Sequence, residues 1–306
     1  MPAVLGLLTA LALGGHRLLP DLGVGLGSLW ESALPWGALV AVAVLLCAAL
    51  RRAPLAACAG AVAATVWAVL FGPLLLSGGA AASGAPAGGV PAGGAGLTVV
   101  THNVNAHNPD PAGTARALLA VHPDLVALEE VTDTALPAYR GVLDAALPHH
   151  ARSGTVALWS RYPVTEARRL VIDPGWNRSL RAEVQAPGGP LAVYVAHLAS
   201  VRVTAAGFAT GHRDRDLAAL GSALDGEPLR RVLLLGDLNT AADDRALAPL
   251  TGRLAPARTG LGFTWPAAFP LARIDHVLTR GLPAAATWTL PATASDHLPL
   301  AARFGA

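Results

Sequence analysis

Residues 231–240 read Arg-Val-Leu-Leu-Leu-Gly-Asp-Leu-Asn-Thr, an apolar run that meets a glycine and then presents a carboxylate and a carboxamide two positions apart. A short buried strand followed by a polar turn is the pattern by which an α/β protein delivers side chains to a site. Backbone pleating places Asp237 and Asn239 on the same face, so both side chains can address one phosphate, water or metal. Asp237 suits a base or a ligand. Asn239 suits an orienting group that adds no charge. Four other stretches end apolar or β-branched runs in the same manner: Asn103-Val104-Asn105, Leu128-Glu129-Glu130-Val131, Ala196-His197-Leu198 and Ser295-Asp296-His297.

Around these stretches the pattern predicts strands at 97–103, 125–128, 154–159, 164–172, 179–185, 191–197, 231–235, 274–279, 286–290 and 300–304. Helices are expected near 111–121 and 213–224. Strands outnumber helices and many follow one another as hairpins. The expected fold is therefore α+β: a sandwich of two largely antiparallel sheets flanked by helices, not a doubly wound parallel sheet.

The first 76 residues differ in kind. They carry only Arg17, Asp21, Glu31, Arg51 and Arg52 as charges and contain three apolar segments, Val4–Leu19, Trp36–Leu50 and Ala53–Leu76. A spanning helix needs about 20 apolar residues. The third segment meets this easily and the second nearly so, while the first is short and interrupted by Gly14, Gly15 and His16. Read together, residues 1–76 form an anchor of three transmembrane helices. The Arg51-Arg52 pair between the second and third segments belongs in the cytoplasm by the positive-inside rule, which sends the remainder of the chain to the extracytoplasmic face. Residues 77–96 are almost wholly Gly, Ala, Ser and Pro, a flexible linker that would let residues 97–306 move above a bilayer. Both cysteines, Cys47 and Cys58, fall in apolar segments and read as lipid-facing or packing residues, not a disulfide. In residues 97–306, 19 Arg face 18 Asp plus Glu and lysine is absent from the chain. Such near neutrality disfavours a general nucleic-acid binder, which needs a basic excess.

Singly, each polar strand end is as well explained as a turn or cap. In order, however, Asn-x-Asn, Glu-Glu-Val, Ser-Arg-Tyr-Pro, His-Leu, Gly-Asp-Leu-Asn, Ile-Asp-His-Val and Ser-Asp-His resemble the endonuclease/exonuclease/phosphatase superfamily, the deoxyribonuclease I-like fold. The resemblance spans about residues 97–304 and is most specific at Gly236–Asn239 and Ser295–His297. It implies phosphoester hydrolysis aided by Mg²⁺ or Mn²⁺. By the same resemblance Glu130 is the principal metal carboxylate, with Asn103 and Asp296 beside it and Asn105 at the metal or the phosphate. Asp237 orients or deprotonates the attacking water and Asn239 holds a phosphoryl oxygen. His197 and His297 hydrogen-bond the phosphate or transition state, and Asp275 orients His297. Glu129 is expected behind the site or in solvent, His276 in a structural role, and His102, His107, His149 and His150 in packing or surface roles.

Arg161, Arg178, Arg202 and Arg213 are candidates for an anionic substrate, with Arg202, five residues after His197, placed to reach a second phosphate. The chain lacks an aromatic- and Arg-rich insertion for gripping a duplex and the His-rich continuation after His197 found in sphingomyelinases. The plan of three spans and then this domain resembles membrane-anchored bacterial members associated with teicoplanin resistance. The resulting expectation is a multi-pass membrane phosphoesterase acting on a lipid phosphate ester or pyrophosphate, with no protein partner. A surface nuclease and a catalytically inactive module that binds a phosphorylated envelope component are the alternatives.

Overall fold

The computed structural model describes residues 1–20, 24–78, 96–205 and 207–305. Among these residues two six-stranded sheets lie face to face. The first has the order β13 (Ala284–Thr289), β14 (Leu300–Phe304), β1 (Leu97–Asn103), β2 (Leu125–Glu129), β4 (Val156–Ser160) and β3 (His149–Ser153). The second has the order β11 (Ala255–Pro256), β12 (Asp275–Arg280), β10 (Val232–Asp237), β7 (Gly189–Ala196), β6 (Ser179–Ala186) and β5 (Val164–Arg169). A separate hairpin joins β8 (Arg202–Thr204) to β9 (Gly207–Ala209).

The expected sandwich is the observed one. Its sheets are mixed: β1 with β2 and β7 with β10 are parallel pairs, and the remaining pairs are antiparallel. Both parallel pairs sit inside their sheets, so the carboxyl ends of four strands are brought to one side of the molecule.

Alternation explains the layers. Leu233 and Leu235 point between the sheets to meet Val99, Ala127 and Leu158, whereas Val232 and Leu234 point outward. There α7 (Gly211–Asp225) covers them with Leu217, Leu220 and Leu224. On the far side α5 (Pro111–Leu119) and α6 (Leu136–Leu143) cover the first sheet through Leu118, Tyr139 and Leu143. Each fully buried side chain of this size contributes roughly 1.5–3 kcal/mol, so the two sheets and their helices form one continuous packed unit. The short α8 (Ala248–Thr251) and the elements α6, β3, β8, β9 and β11 were not foreseen; they are brief or polar, with too few residues for a period to show.

The N-terminal part consists of α1 (Pro2–Gly14), α2 (Leu26–Ala33), α3 (Gly37–Leu50) and α4 (Pro54–Gly78). Among the described residues, two helical stretches, 26–50 and 54–77, are long and apolar enough to cross a membrane. The three-span expectation is corrected here: α1 has 13 residues, about 20 Å at 1.5 Å per residue, against a hydrocarbon core of about 30 Å. Close helix contact is built on small residues, with Gly6 against Ala59 and Gly37 against the Leu13 side chain. Cys47 and Cys58 are unpaired and face outward, in keeping with the reading of both as non-disulfide residues.

Most of the linker, residues 79–95, lies outside the described residues. The described residues on either side of it are in contact. Ser28 Oγ donates to Asp244 Oδ2 at 2.6 Å, Trp36 Nε1 donates to Leu271 O at 2.9 Å and the Gly260 N–H donates to Leu74 O at 3.0 Å. The sandwich is seated on the ends of the apolar helices.

Candidate active site

Five of the motifs converge at the common strand edge. Asn103 closes β1, and its Nδ2 donates to Glu130 Oε1 at 3.2 Å and to Asp237 Oδ2 at 3.0 Å, which ties the end of one sheet to the end of the other. Its Oδ1 accepts the Asn105 N–H at 3.0 Å. Asn105 in turn donates from Nδ2 to Asp296 Oδ1 at 2.9 Å, and the Ala106 N–H donates to Glu130 Oε2 at 2.8 Å.

Asp237 and Asn239 do meet, by a different device from strand alternation. Strand β10 stops at Asp237, and Asn239 turns back with φ 46°, so that its N–H donates to Asp237 Oδ1 at 2.9 Å. Its Nδ2 donates to Leu198 O at 3.0 Å and to Asp237 Oδ2 at 3.3 Å. Gly236 has φ 143° and lies against β7; a Cβ there would run into the Ala196 carbonyl oxygen. That is why this strand end needs glycine. Left-handed backbone at non-glycine residues also gathers here: Asn105, Glu130 and Asn239 have φ of 61°, 63° and 46°. Such conformations persist where surrounding contacts hold them.

Across the sheet, Asp275 is the register partner of Asp237, and its Oδ2 pairs with His297 Nδ1 at 2.9 Å. His297 Nε2 then faces Asp237 Oδ2 at 3.8 Å. Burial opposes charge on His297, but the Asp275 carboxylate, with Asp237 and Asp296 beyond it, carries the imidazole up to about 10. Asp275 is correspondingly held low: burial favours its neutral form, and the charge and hydrogen bond of His297 outweigh that. Asp237 is pushed up to about 7, first by burial and then by the charge of Asp275. A carboxyl poised near neutrality is the state a general base requires.

His197 follows β7 with Nε2 3.7 Å from Asp237 Oδ2 and 3.8 Å from Glu130 Oε1. Burial, aided by the Arg178 cation, lowers it to about 4, so it is neutral at pH 7. Arg178 lies over the Trp176 ring, 3.0 Å from its centroid. Its guanidinium makes no hydrogen bond to another described residue, and burial weakens its hold on the proton while Glu130 and Asp216 strengthen it. Arg178 is thus at the site with donors to spare. Arg202 lies on the exposed β8 and makes no hydrogen bond or ion pair to a described site residue; its hairpin leans on the N-terminal part through the Phe208 N–H and Val24 O at 2.7 Å. Arg161 pairs with Asp124 at 3.4 Å and Arg213 is buried among Ser28, Thr240 and Asp244, so both are structural.

Glu129 is fully buried, which removes the solvated alternative. Thr101 Oγ1 donates to its Oε1 at 3.0 Å, while burial and the charges of Asp275 and Asp237 raise its pKa well above the carboxylate range. Burial thus favours its neutral form beneath the site. His276 binds Thr240 O at 2.8 Å from the opposite face of β12, a structural role, and His102 packs against Thr293. Two supports act through backbone groups: Ser295, from the Ser-Asp-His motif, whose hydroxyl role the motif did not reveal, and Thr264, which had no sequence signal. Ser295 Oγ donates to Asn103 O at 2.6 Å and accepts the His297 N–H at 3.1 Å, and Thr264 Oγ1 accepts the Asp275 N–H at 3.3 Å. A serine or threonine acting on a backbone brought near by folding leaves no local pattern.

For a divalent cation the donor chemistry fits. Glu130 is a partly exposed carboxylate, Asp275 Oδ1 is a buried acceptor with no partner, and ligand atoms of Asp237, Asp275 and His297 lie within 4.8 Å of one another. Hard oxygen donors of this kind suit Mg²⁺ or Mn²⁺. The last trio suits an ion less well than Glu130 does, because a protonated His297 repels one. Asn103 offers a cation only Oδ1, since its amide nitrogen spans the two carboxylates.

The family model described as Endonuclease/Exonuclease/phosphatase family matches residues 100–297, a span that holds all of these side chains. The chain belongs to this family. No curated protein matches the sequence. Among solved structures, humanized TDP2 of D. rerio is 18% identical with a TM-score of 0.57, covering 69% of this chain and 100% of that one. Sphingomyelinase C from Streptomyces griseocarneus is 19% identical with a TM-score of 0.53, covering 69% and 99%. An endonuclease/exonuclease/phosphatase family protein from Bacteroides thetaiotaomicron is 15% identical with a TM-score of 0.57, covering 69% and 98%. These neighbours share the fold, and the family is one of phosphoester hydrolases.

Proposed function

We propose that the protein is a membrane-anchored, divalent-metal-dependent phosphoesterase that hydrolyses a phosphate ester or pyrophosphate of an envelope lipid on the extracytoplasmic face. The observation that carries this reading is the seating of a complete hydrolytic site on apolar helices, one of them, α4, 25 residues long. That length is about 37 Å, enough for a bilayer core. The sandwich contacts the Trp36 and Leu74 ends of the helices and the Arg51-Arg52 turn lies at the other end; a cytoplasmic turn, as the positive-inside rule expects, supports an outward-facing site.

Glu130 would hold the ion, with Asp296 and the Asn103 oxygen beside it. Such an ion supplies charge neutralisation at the phosphoryl group. Asp237 takes the proton of the attacking water; the two amides of Asn103 and Asn239 fix its carboxylate. Asn239 serves in this arrangement as a brace for Asp237, because both hydrogens of its Nδ2 are engaged. His297, kept charged by Asp275, donates to the developing negative charge. His197 contributes a neutral imidazole, and Arg178 supplies the free guanidinium for a phosphate oxygen.

The deciding experiment is phosphate release by the detergent-purified chain on lipid phosphates, lipid pyrophosphates, phosphodiesters and DNA, with and without Mg²⁺. Metal-dependent release from a lipid substrate is expected. Turnover confined to DNA would overturn the lipid reading, and a reporter at the C-terminus active only in the cytoplasm would overturn the orientation.

A further inference from the structure

We infer that residues 262–271 form a lipid-contacting surface that seats the mouth of the active site in the head-group layer of the bilayer. This rests on the membrane reading above. The segment Gly-Phe-Thr-Trp-Pro-Ala-Ala-Phe-Pro-Leu contains no ionisable side chain. It nevertheless presents Trp265, Phe269 and Leu271 at 41%, 68% and 37% exposure. A concentration of exposed large apolar side chains in one loop marks a contact surface.

The patch is continuous with the ends of the apolar helices. Phe263 stacks on Trp36, ring centroids 5.4 Å apart, and Trp36 Nε1 donates to Leu271 O at 2.9 Å. Trp30 donates to Ala12 O near the end of α1 at 3.0 Å, and Trp67, from the middle of α4, donates to Pro35 O just before α3 at 2.8 Å. Tryptophans that keep an indole N–H bonded at a helix end are typical of the membrane–water boundary.

Helix length gives the second argument. The 26–50 stretch reaches the length of a span only with the residues before Gly37, since α3 by itself has 14 residues, about 21 Å against a hydrocarbon core of about 30 Å. The two turns of α2 before it are engaged by the sandwich through Ser28 and Glu31. A bilayer of ordinary thickness therefore reaches past Trp36 to the level of Phe263, Trp265 and Leu271. Apolar side chains there fill depth that the helix does not.

The same loop is hydrogen-bonded to the site. The Ala267 N–H donates to Asp296 O at 2.7 Å and the Leu298 N–H donates to Thr264 O at 2.7 Å, while Thr264 Oγ1 accepts the N–H groups of Ile274 and Asp275 at 3.2 and 3.3 Å. A loop fixed in the interface thus fixes Asp296 and Asp275 beside it. Substrate head groups reach them without leaving the membrane.

The test uses the full chain in phosphatidylcholine–phosphatidylglycerol proteoliposomes. A nitroxide is attached to Phe269→Cys, or to Thr165→Cys on the exposed β5 as a reference, with Cys47 and Cys58 replaced by Ala. Collisions with dissolved oxygen should dominate at 269, and collisions with a water-soluble nickel chelate at 165. Equal nickel accessibility at the two positions overturns the inference. Spin–spin broadening between labels at 269 also overturns it, since the patch would then join two copies of the chain. Separately, Trp265→Ser with Phe269→Ser should lower release from a bilayer-embedded lipid phosphate at least about fivefold and leave a soluble phosphodiester rate unchanged. Equal loss on both substrates counts against the lipid role. Should the native chain cleave no lipid at all, the substrate reading fails, while the nitroxide measurement still decides the surface.

Discussion

Glu31 and Arg245 stand 214 positions apart and meet as an ion pair, with Glu31 Oε2 accepting from Arg245 Nε at 2.9 Å and from its backbone N–H at 2.7 Å. Arg245 also donates to the carbonyls of His16, Arg17 and Leu19 at 2.7, 3.1 and 2.9 Å. One turn away, Ser28 Oγ accepts from Arg213 Nη2 at 2.9 Å, and Arg213 Nη1 reaches Asn239 O at 3.4 Å and Thr240 Oγ1 at 3.3 Å. The N-terminal helices are thereby connected to the loop that follows Asp237.

A chain starting near Gly96 keeps every site residue yet uncovers Arg213, Asp244 and Arg245. It should unfold at lower temperature than the full chain and turn over a soluble phosphodiester more slowly. Ser28→Ala in the full chain isolates the effect: a buried guanidinium N–H loses its acceptor, at a cost of about 1–3 kcal/mol. Thermal midpoint and soluble-substrate rate are the measurements. Unchanged values for both chains would show that the contact is incidental.

Asp237→Ala removes the group that takes the proton of water and leaves Glu130 in place. Turnover should fall at least about 100-fold, the low end for a positioned acid–base group. Circular dichroism and Mn²⁺ binding should be retained. More than half the native rate in the variant would remove Asp237 from this role.

The sandwich was legible because its strands are apolar, regularly punctuated and long enough for alternation to show. The site was legible because each motif ends such a strand. What stayed hidden depends on contacts across the chain. The Arg178 guanidinium lies over Trp176, and Arg202, favoured by its distance from His197 along the chain, falls on the exposed β8–β9 hairpin. The burial of Glu129 follows from its place on β2 between two sheets, and the docking of Ser28 and Glu31 pairs residues more than 200 positions apart.

Glu227 offers a test of pH dependence away from the site. Arg181 donates to it twice, at 3.0 and 3.1 Å, with Tyr194 OH at 2.7 Å and the Leu229 N–H at 2.9 Å. Burial favours the neutral acid, but the Arg181 hydrogen bonds outweigh it and leave the pKa below the ordinary 4.5. A carboxylate lowered in the folded state adds stability above its unfolded pKa and loses it as pH falls through the folded value. Urea midpoints should therefore drop as pH falls below about 4.5, and Glu227→Gln should flatten that decline. An equally steep acid limb in the variant would assign the decline to other groups.

Glu130→Gln replaces a hard anionic oxygen with an amide while keeping its size, so the hydrogen bond from Asn103 can persist and the charge cannot. Both carboxylate oxygens already accept donors, Asn103 Nδ2 on one and the Ala106 N–H on the other, so the side chain is aimed before any ion arrives. The variant should need at least about tenfold more Mg²⁺ or Mn²⁺ for half-maximal rate, the scale set by losing a charged ligand, and should recover part of its activity at high metal. Asp237→Ala should show no such recovery, because its defect lies in the water. Titrating each variant with Mn²⁺ separates the two directly. Identical metal dependence in Glu130→Gln and the native chain would move the ion away from Glu130, toward the Asp237, Asp275 and His297 trio.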